Sequence, residues 1–188
     1  MILAHPPRPG ELLLASAGLA SDWFGETVIY LLDCDDDGCL GVVLNRFADS
    51  SLDDVLPQWA SLVCQPQKLF AGGPVSPNGA VCLARLTNPH EEPPGWRRVI
   101  DDVGLLHLDT PVELVEGAYS ELRIFAGYAG WKPGQLEGEL LRGDWFRTAG
   151  RPEDVFGTEP QGLWRRVMRR VGGDAALMST WLSDPDRN

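Results

Sequence analysis

Short apolar runs separated by polar turns, a pattern typical of β-strands, occupy the first half of the chain. A short apolar run at Glu11–Ala15 is followed by residues 27–32, which are rich in β-branched and aromatic side chains. A further apolar run at 40–44 follows the polar stretch 33–38, which ends in Asp-Gly. Two such runs joined by this kind of turn are typical of a β-hairpin. We therefore predict a first strand followed by a hairpin.

The same pattern continues less regularly towards the C-terminus. Further strands are predicted at residues 68–71, 80–85, 105–108 and 121–126. A first helix is predicted after Ser50 or Ser51, with an apolar face formed by Leu52, Val55, Leu56 and Trp59. Two further helices are predicted at residues 135–141 and 161–171. Strands and helices do not alternate strictly, which favours the α+β class over a doubly wound sheet. The absence of repeats predicts a single domain over residues 1–188, with a core at about 10–148 and a C-terminal helical extension at about 150–182.

Composition and charge exclude some function classes. The chain has 188 residues, of which 44% are hydrophobic, and this is too apolar for an intrinsically disordered protein. Its net charge of −11 repels phosphate backbones, so nucleic-acid binding by the surface as a whole is not expected. The charge is uneven, because residues 1–94 hold 4 basic and 12 acidic side chains and the rest hold 12 and 15.

The N-terminal segment and the cysteines bear on compartment and cofactors. Pro6 and Pro7 interrupt any signal-peptide core, and no apolar run approaches the roughly 18 residues of a membrane span. We therefore predict a cytoplasmic protein without membrane insertion. The four cysteines form no C-x₂-C pair and are predicted to be free thiols, with Cys39 and Cys82 as small core residues, and no cofactor is predicted. They are Cys34, Cys39, Cys64 and Cys82.

Asp33, Asp35 and Asp37, followed by Gly38, match the first half of a calcium-binding loop. The position that should supply a bidentate glutamate is Leu44, and strands rather than helices flank the loop. A solvated hairpin turn is the favoured interpretation, and a weak Mg²⁺ or Ca²⁺ site is the alternative.

Catalytic motifs are poorly supported. There is no Gly-x-Ser-x-Gly elbow and no P-loop lysine, and no partner is evident for any of the three histidines. If the protein is an enzyme, Asp49, Asp53 and His107 are the titratable groups to consider first.

Two segments remain unusual. The predicted helix 161–171 has an apolar stripe, and its opposite face is formed by Arg165, Arg166, Arg169 and Arg170. This pattern is typical of a surface helix that packs its stripe on the domain, and nucleic-acid binding by the arginines is the alternative. The segment 125–137 combines glycines with Tyr128 and Trp131, which either pack into the core, the favoured reading, or line a pocket.

Five motifs together resemble the YqgE/AlgH family. In order, they are residues 10–15, Phe24 with residues 27–30, Gly38-x-x-Gly41 to Arg46, residues 70–75, and residues 127–137. The resemblance covers about residues 10–148 and implies an α+β fold with a small closed β-barrel or mixed sheet and flanking helices. It also implies bacterial cytoplasmic proteins that are sometimes labelled transcriptional regulators. This chain has Cys34 and Phe47 where the family usually has His and Pro.

We predict a protein that acts by binding a ligand or partner in a regulatory role, rather than an enzyme. The candidate ligand-binding residues are Asn45, Arg46, Gly72, Gly73, Tyr128, Gly130, Trp131 and Gln135. Arg46 is the expected contact for an anionic ligand. One alternative is an enzyme with a cleft near Asn45-Arg46 and residues 127–135, and the other is nucleic-acid binding through Arg165–Arg170. The ligand, the protein partner and the oligomeric state stay open.

Overall fold

The computed structural model describes residues 4–19 and 21–181 of the chain. The predictions that rest on residues 1–3 and on the tail from residue 183 lie outside this part. Within it, no helix has both the length and the apolar character needed to cross a membrane.

Nine strands of the described chain form one sheet with the order β6-β7-β5-β8-β3-β2-β1-β9, and β4 lies beside β8. All neighbouring strands are antiparallel except the pair β4 and β8, which is parallel. The strands are β1 Glu11–Ala15, β2 Val28–Asp35, β3 Gly38–Val43, β4 Phe70–Ala71, β5 Val75–Leu86, β6 Trp96–Ile100, β7 Val103–Leu106, β8 Tyr119–Trp131 and β9 Trp145–Ala149. The helices are α1 Leu52–Val55, α2 Gln135–Arg142, α3 Pro152–Phe156, α4 Leu163–Val171 and α5 Gly173–Trp181.

The sheet curls into a half-barrel, so the closed barrel implied by the family resemblance is wrong. Closure requires the two edge strands, β6 and β9, to pair. The curl instead brings Arg97 of β6 to Asp33 of β2, at 3.3 Å between Nη1 and Oδ2. Because β2 already pairs with β1 and β3, it has no free backbone edge to accept another strand. The α+β class and the flanking helices are confirmed.

Local predictions hold where the sequence pattern is short-range. The first strand and the hairpin are confirmed, with a two-residue turn at Asp36-Asp37. Helix α2 is confirmed, and α4 begins two residues later than predicted. The single helix predicted after Ser51 is wrong, because Pro57 follows α1 and a separate 3₁₀ turn begins there. Val55 is consequently exposed instead of facing the core.

Residues 127–131, which lie outside the predicted strand 121–126, continue β8 as a strand. Their pairing explains the difference, since Ala129, Gly130 and Trp131 lie opposite residues 39–41 of β3. Strands β6 and β9 were not predicted. Both lie at sheet edges, where polar side chains hide the period-two pattern.

The prediction of four free thiols is wrong for one pair. Cys34 and Cys39 form a disulfide, because the hairpin register places them directly opposite each other on β2 and β3. Cys64 and Cys82 are free thiols. Cys39 and Cys82 are both buried, as predicted for small core residues.

The apolar stripe of α4 packs into the core, as predicted for a surface helix. Trp164 is 2% exposed, and its Nε1 donates to the carbonyl of Ala15 at 3.0 Å. On the other side, both Nη atoms of Arg170 donate to the carboxylate of Asp154, at 2.9 and 2.7 Å. Asp154 also accepts a hydrogen bond from the backbone N–H of Arg151, at the start of α3. Helices α3 and α4 are thereby joined.

A buried arginine fastens the C-terminal helices to the sheet. Arg123 of β8 is only 2% exposed, and burial lowers its pKa. Its Nη1 donates to the carbonyls of Val155 and Gly157 at 2.8 and 3.0 Å, and its Nη2 donates to that of Gln65 at 2.7 Å. Nη2 also donates to Phe156 at 3.4 Å. A buried guanidinium needs such acceptors, so the sheet and both flanking segments depend on this side chain.

We expect Arg123→Met to lower the free energy of unfolding by about 3 kcal/mol or more, because it leaves several buried carbonyls without a donor. The matched control is Arg97→Met, since Arg97 is mostly exposed and its ion pair is worth about 0.5 kcal/mol. Urea unfolding measures both changes. Equal losses in the two variants would contradict the role of Arg123.

Candidate functional site

A cavity of about 440 Å³ lies between residues 18, 19, 21 and 24, the end of β8, α2 and the start of β9. We call it the tryptophan cavity. Its aromatic lining residues are Phe24, Trp131 and Trp145, and its polar ones include Ser21, Gln135, Glu139, Arg142 and Asp144.

Glu139 lies at the centre of the hydrogen bonding in this cavity. Its Oε2 accepts from the indole Nε1 of Trp131 and of Trp145, each at 2.8 Å. Its Oε1 accepts from Nε2 of Gln135 at 2.9 Å. Three donors from three positions therefore fix one carboxylate, and the carboxylate fixes both indole rings.

The three aromatic rings form a continuous wall. Trp131 and Trp145 meet edge to face with their centroids 6.2 Å apart, and Phe24 meets Trp145 in the same way at 5.9 Å. Both tryptophans are less than 10% exposed and also belong to the apolar core. Trp131 thus packs into the core and lines a pocket, the two alternatives that the sequence left open.

The local sequence explains how these side chains meet. Helix α2 begins at Gln135, whose Oε1 accepts from the backbone N–H of Lys132 at 3.0 Å. Four residues later on the same helix face comes Glu139. Gly143, with a φ of +80°, ends the helix, so that Trp145 of β9 follows at once.

The hairpin fixes the position of Trp131. Cys39 of β3 pairs with Trp131 of β8 in the sheet. A Cβ at Gly38 would lie 2.0 Å from the carbonyl oxygen of Trp131, and the φ of Gly38 is +125°, so only glycine fits this approach.

Asn45 and Arg46 fasten the segment that carries Phe24. Asn45 accepts from the backbone N–H of Val28 and donates to the carbonyl of Glu26, each at 2.9 Å. The Arg46 guanidinium donates to the carbonyls of Trp23 and Gly25 and lies 4.8 Å from the centre of the Trp23 ring. Burial lowers its pKa. Arg46 does not line the tryptophan cavity, and anion binding by it stays a prediction.

A second cavity of about 610 Å³ lies on the other side of this segment, with Trp23, Gly73 and Pro74 in its lining. A Cβ on Gly73 would lie 2.0 Å from backbone atoms of Tyr128, and one on Gly72 would lie 2.3 Å from the carbonyl of Gly127. Both glycines therefore permit close backbone packing.

The eight predicted site residues are thus divided. Gly130, Trp131 and Gln135 line the tryptophan cavity, while Gly73 lines the second cavity. Asn45 and Arg46 hold the segment between the two cavities. Gly72 and Tyr128 pack against the sheet and the core.

Sequence reasoning missed Glu139 and Trp145 as site residues. The signal for Glu139 was present, because it follows Gln135 by four residues in a predicted helix. Trp145 could not be found in this way, since it reaches the cavity through β9, which was not predicted.

The acidic turn does not gather its carboxylates. Asp33 pairs with Arg97, and Asp35 accepts a hydrogen bond from the backbone N–H of Asp37 at 2.8 Å. Among residues 4–19 and 21–181, no three His, Cys, Asp or Glu side chains are grouped so as to hold a metal ion.

The titratable groups considered for catalysis also lie apart. Asp49, Asp53 and His107 are exposed, and none of them lines the tryptophan cavity. Asp49 lines the second cavity.

A family model described as AlgH-like matches residues 12–176. The match extends through the arginine-rich helix α4, so the expectation that this helix falls outside the family's region is wrong. A UPF0301 protein of Streptomyces coelicolor is 46% identical over 182 residues, covering 95% of this chain and 94% of the relative. One of Mycobacterium tuberculosis is 42% identical over 187 residues, covering 98% and 93%.

Two solved structures share the fold. The crystal structure of a Corynebacterium diphtheriae protein aligns with a TM-score of 0.87 and 29% identity, covering 95% of this chain and 94% of that chain. The solution structure of the AlgH protein from Pseudomonas aeruginosa aligns with a TM-score of 0.69 and 24% identity, covering 95% and 97%.

We expect Asn45→Ala to speed amide hydrogen exchange in residues 21–27, because two hydrogen bonds that hold this segment are lost at a cost of about 1 to 2 kcal/mol. Asn78→Ala is the control, since Asn78 lies in the lining of the second cavity. Mass spectrometry of peptic fragments measures the exchange. Unchanged exchange in residues 21–27 would contradict the fastening role.

Proposed function

The chain belongs to the AlgH-like family, and on that premise we propose that it acts by binding a small organic ligand in the tryptophan cavity. The observation that carries the proposal is the set of three hydrogen bonds that fixes Glu139 between Trp131 and Trp145. A concave site with aromatic walls and a few well-placed polar groups is typical of ligand pockets.

Preorganisation supports this proposal. Glu139 accepts one hydrogen bond from each of Trp131, Trp145 and Gln135. These side chains are therefore ordered before any ligand binds. Phe24 is held by a segment that Asn45 and Arg46 fasten. A site of this kind pays little conformational entropy on binding.

Binding fits the cavity better than catalysis does. Among the described residues that line it there is no His, Cys or Lys, and Arg142 and Asp144 pair with each other at 2.7 Å. The Ser21 hydroxyl accepts from the backbone N–H of Phe24 and has no neighbouring base in the lining. A nucleophile and its general base must lie within hydrogen-bond reach, which this lining does not offer.

Nucleic-acid binding through α4 has weaker support. Arg170 is committed to Asp154, and Arg166 donates to the carbonyl of Glu159 at 2.7 Å. The net charge of −11 opposes the approach of a phosphate backbone. A regulatory role fits a ligand-binding protein without an evident catalytic pair, and we include it in the proposal.

The proposal also keeps the cytoplasmic location. Stable disulfides are uncommon there, so the Cys34–Cys39 bond of the structure would be reduced in the cell. We therefore expect acid-trapped cells to yield four alkylated cysteines per chain after denaturation, counted by mass spectrometry. Two alkylated cysteines would place Cys34 and Cys39 in an oxidising compartment instead.

We expect members of a library of cationic, anionic and neutral aromatic fragments to shift the indole N–H resonances of Trp131 and Trp145 in ¹⁵N-labelled protein. Gly18→Leu should weaken this binding at least tenfold, because Gly18 lines the cavity and a Cβ there has one neighbour within 4 Å, Ser16 Oγ at 3.9 Å. Asn78→Leu, in the second cavity, is the matched control. No binding, or binding that Gly18→Leu leaves unchanged, would overturn the proposal.

A further inference from the structure

The two carboxylates of the tryptophan cavity differ in their partners. Asp144 receives both Nε and Nη2 of Arg142, at 3.1 and 2.7 Å. Glu139 receives only neutral donors, and no Lys, Arg or His nitrogen of the described residues lies within 4.0 Å of its oxygens. Within the described part of the chain, the cavity therefore keeps one negative charge without a counter-ion inside this distance.

Such a charge is uncommon in a partly buried position. Charged groups withdrawn from water are usually paired, because their lost hydration must be offset. Glu139 is half-buried, and its neighbours in the wall are low-polarity aromatic rings. The attraction between this carboxylate and an incoming positive charge is therefore stronger than at an open surface.

The aromatic wall supplies the apolar side of the cavity. Phe24, Trp131 and Trp145 form three rings in one wall. The indole N–H edges of the two tryptophans point at Glu139, so the carboxylate and not the rings sets the sign of charge that is favoured.

From these contacts we propose that the tryptophan cavity selects an organic monocation, with an amidinium, guanidinium or ammonium head on a small apolar body. The inference rests on the function proposed above and names the ligand class of that site. The head group donates to Glu139, and the apolar body lies against the aromatic wall.

The acceptor count at Glu139 fits one ligand hydrogen bond. A carboxylate offers about four acceptor positions, two on each oxygen. Oε2 uses two for the indoles of Trp131 and Trp145, and Oε1 uses one for Gln135. One position is left on Oε1, for a charged N–H of the ligand.

Anionic ligands find no matching group in this lining. Arg142 is the guanidinium of the lining and is already held by Asp144 through two nitrogens. The cavity therefore differs from the anion site that the sequence suggested around Arg46.

Benzamidine and benzamide provide the test, because they share a shape and differ in charge. Titration is followed by the Trp131 and Trp145 indole resonances. We expect benzamidine to bind at least tenfold more tightly than benzamide. Glu139→Gln should reduce benzamidine affinity to within about threefold of that of benzamide, while Glu137→Gln, a neighbouring carboxylate on α2 outside the lining, should leave it unchanged.

Glu139→Gln also alters an acceptor of the indole hydrogen bonds, so a second measurement uses the unmodified chain. Raising the salt concentration should weaken benzamidine binding and leave benzamide binding unchanged, since only the first involves a charge pair. Equal affinities for the two compounds, tighter binding of benzoate, or equal effects of the Glu137 and Glu139 substitutions would overturn the inference.

These outcomes separate the two proposals. If neutral or anionic fragments bind and Gly18→Leu weakens their binding, the ligand-binding function stands and the choice of a cation is wrong. If no fragment of any charge binds, both are wrong.

Discussion

A guanidinium withdrawn from water must have acceptors around it, and in this protein that requirement joins the sheet to its C-terminal helices. Arg123 projects from β8, which pairs with β3, β4 and β5. Its acceptors are carbonyls of Gln65 and of residues 155–157, not a carboxylate. Neutral acceptors leave the positive charge in place and satisfy N–H groups of Nη1 and Nη2, whereas the buried Nε has no hydrogen-bond partner in the described part of the chain. Arg123 and the burial of Val155 and Phe156 in the core together hold α3 against the sheet.

The same strand connects this anchor to the tryptophan cavity. β8 carries Arg123 near its start and Trp131 at its end, so the ring that lines the cavity extends from the best-fixed strand of the sheet. The segment 21–27 meets it from the opposite side, held by Asn45 and Arg46. The lining therefore consists of regular elements and one fastened segment. Sites built on such elements keep their geometry better than sites built on free loops.

The sequence predicts what is encoded within a few residues. β1, the hairpin and α2 follow from local patterns and turn residues, and the irregular order of strands and helices indicates the α+β class. The sequence could not show that the edge strand β6 contacts β2 through Arg97 and Asp33 instead of pairing with β9. This contact depends on the curl of the whole sheet. The sequence also could not show that Arg123 is buried. Its carbonyl acceptors lie 58 residues earlier and 32 to 34 residues later in the chain, so no local pattern reveals them. Gly130, Trp131 and Gln135 were identified because they share one short motif, whereas Trp145 reaches the same cavity by a separate strand.

The sharing of one carboxylate by two indoles also limits how this protein can change over generations. Replacing Glu139 with an apolar residue would leave the indole N–H groups of both Trp131 and Trp145 without an acceptor. Each unpaired donor lowers the free energy of unfolding by about 1 to 3 kcal/mol. Replacing either tryptophan alone would leave a void beside the other ring and remove one donor from the carboxylate. We therefore expect positions 131, 139 and 145 to change together. Lineages that abandon the arrangement are expected to lose all three side chains rather than one.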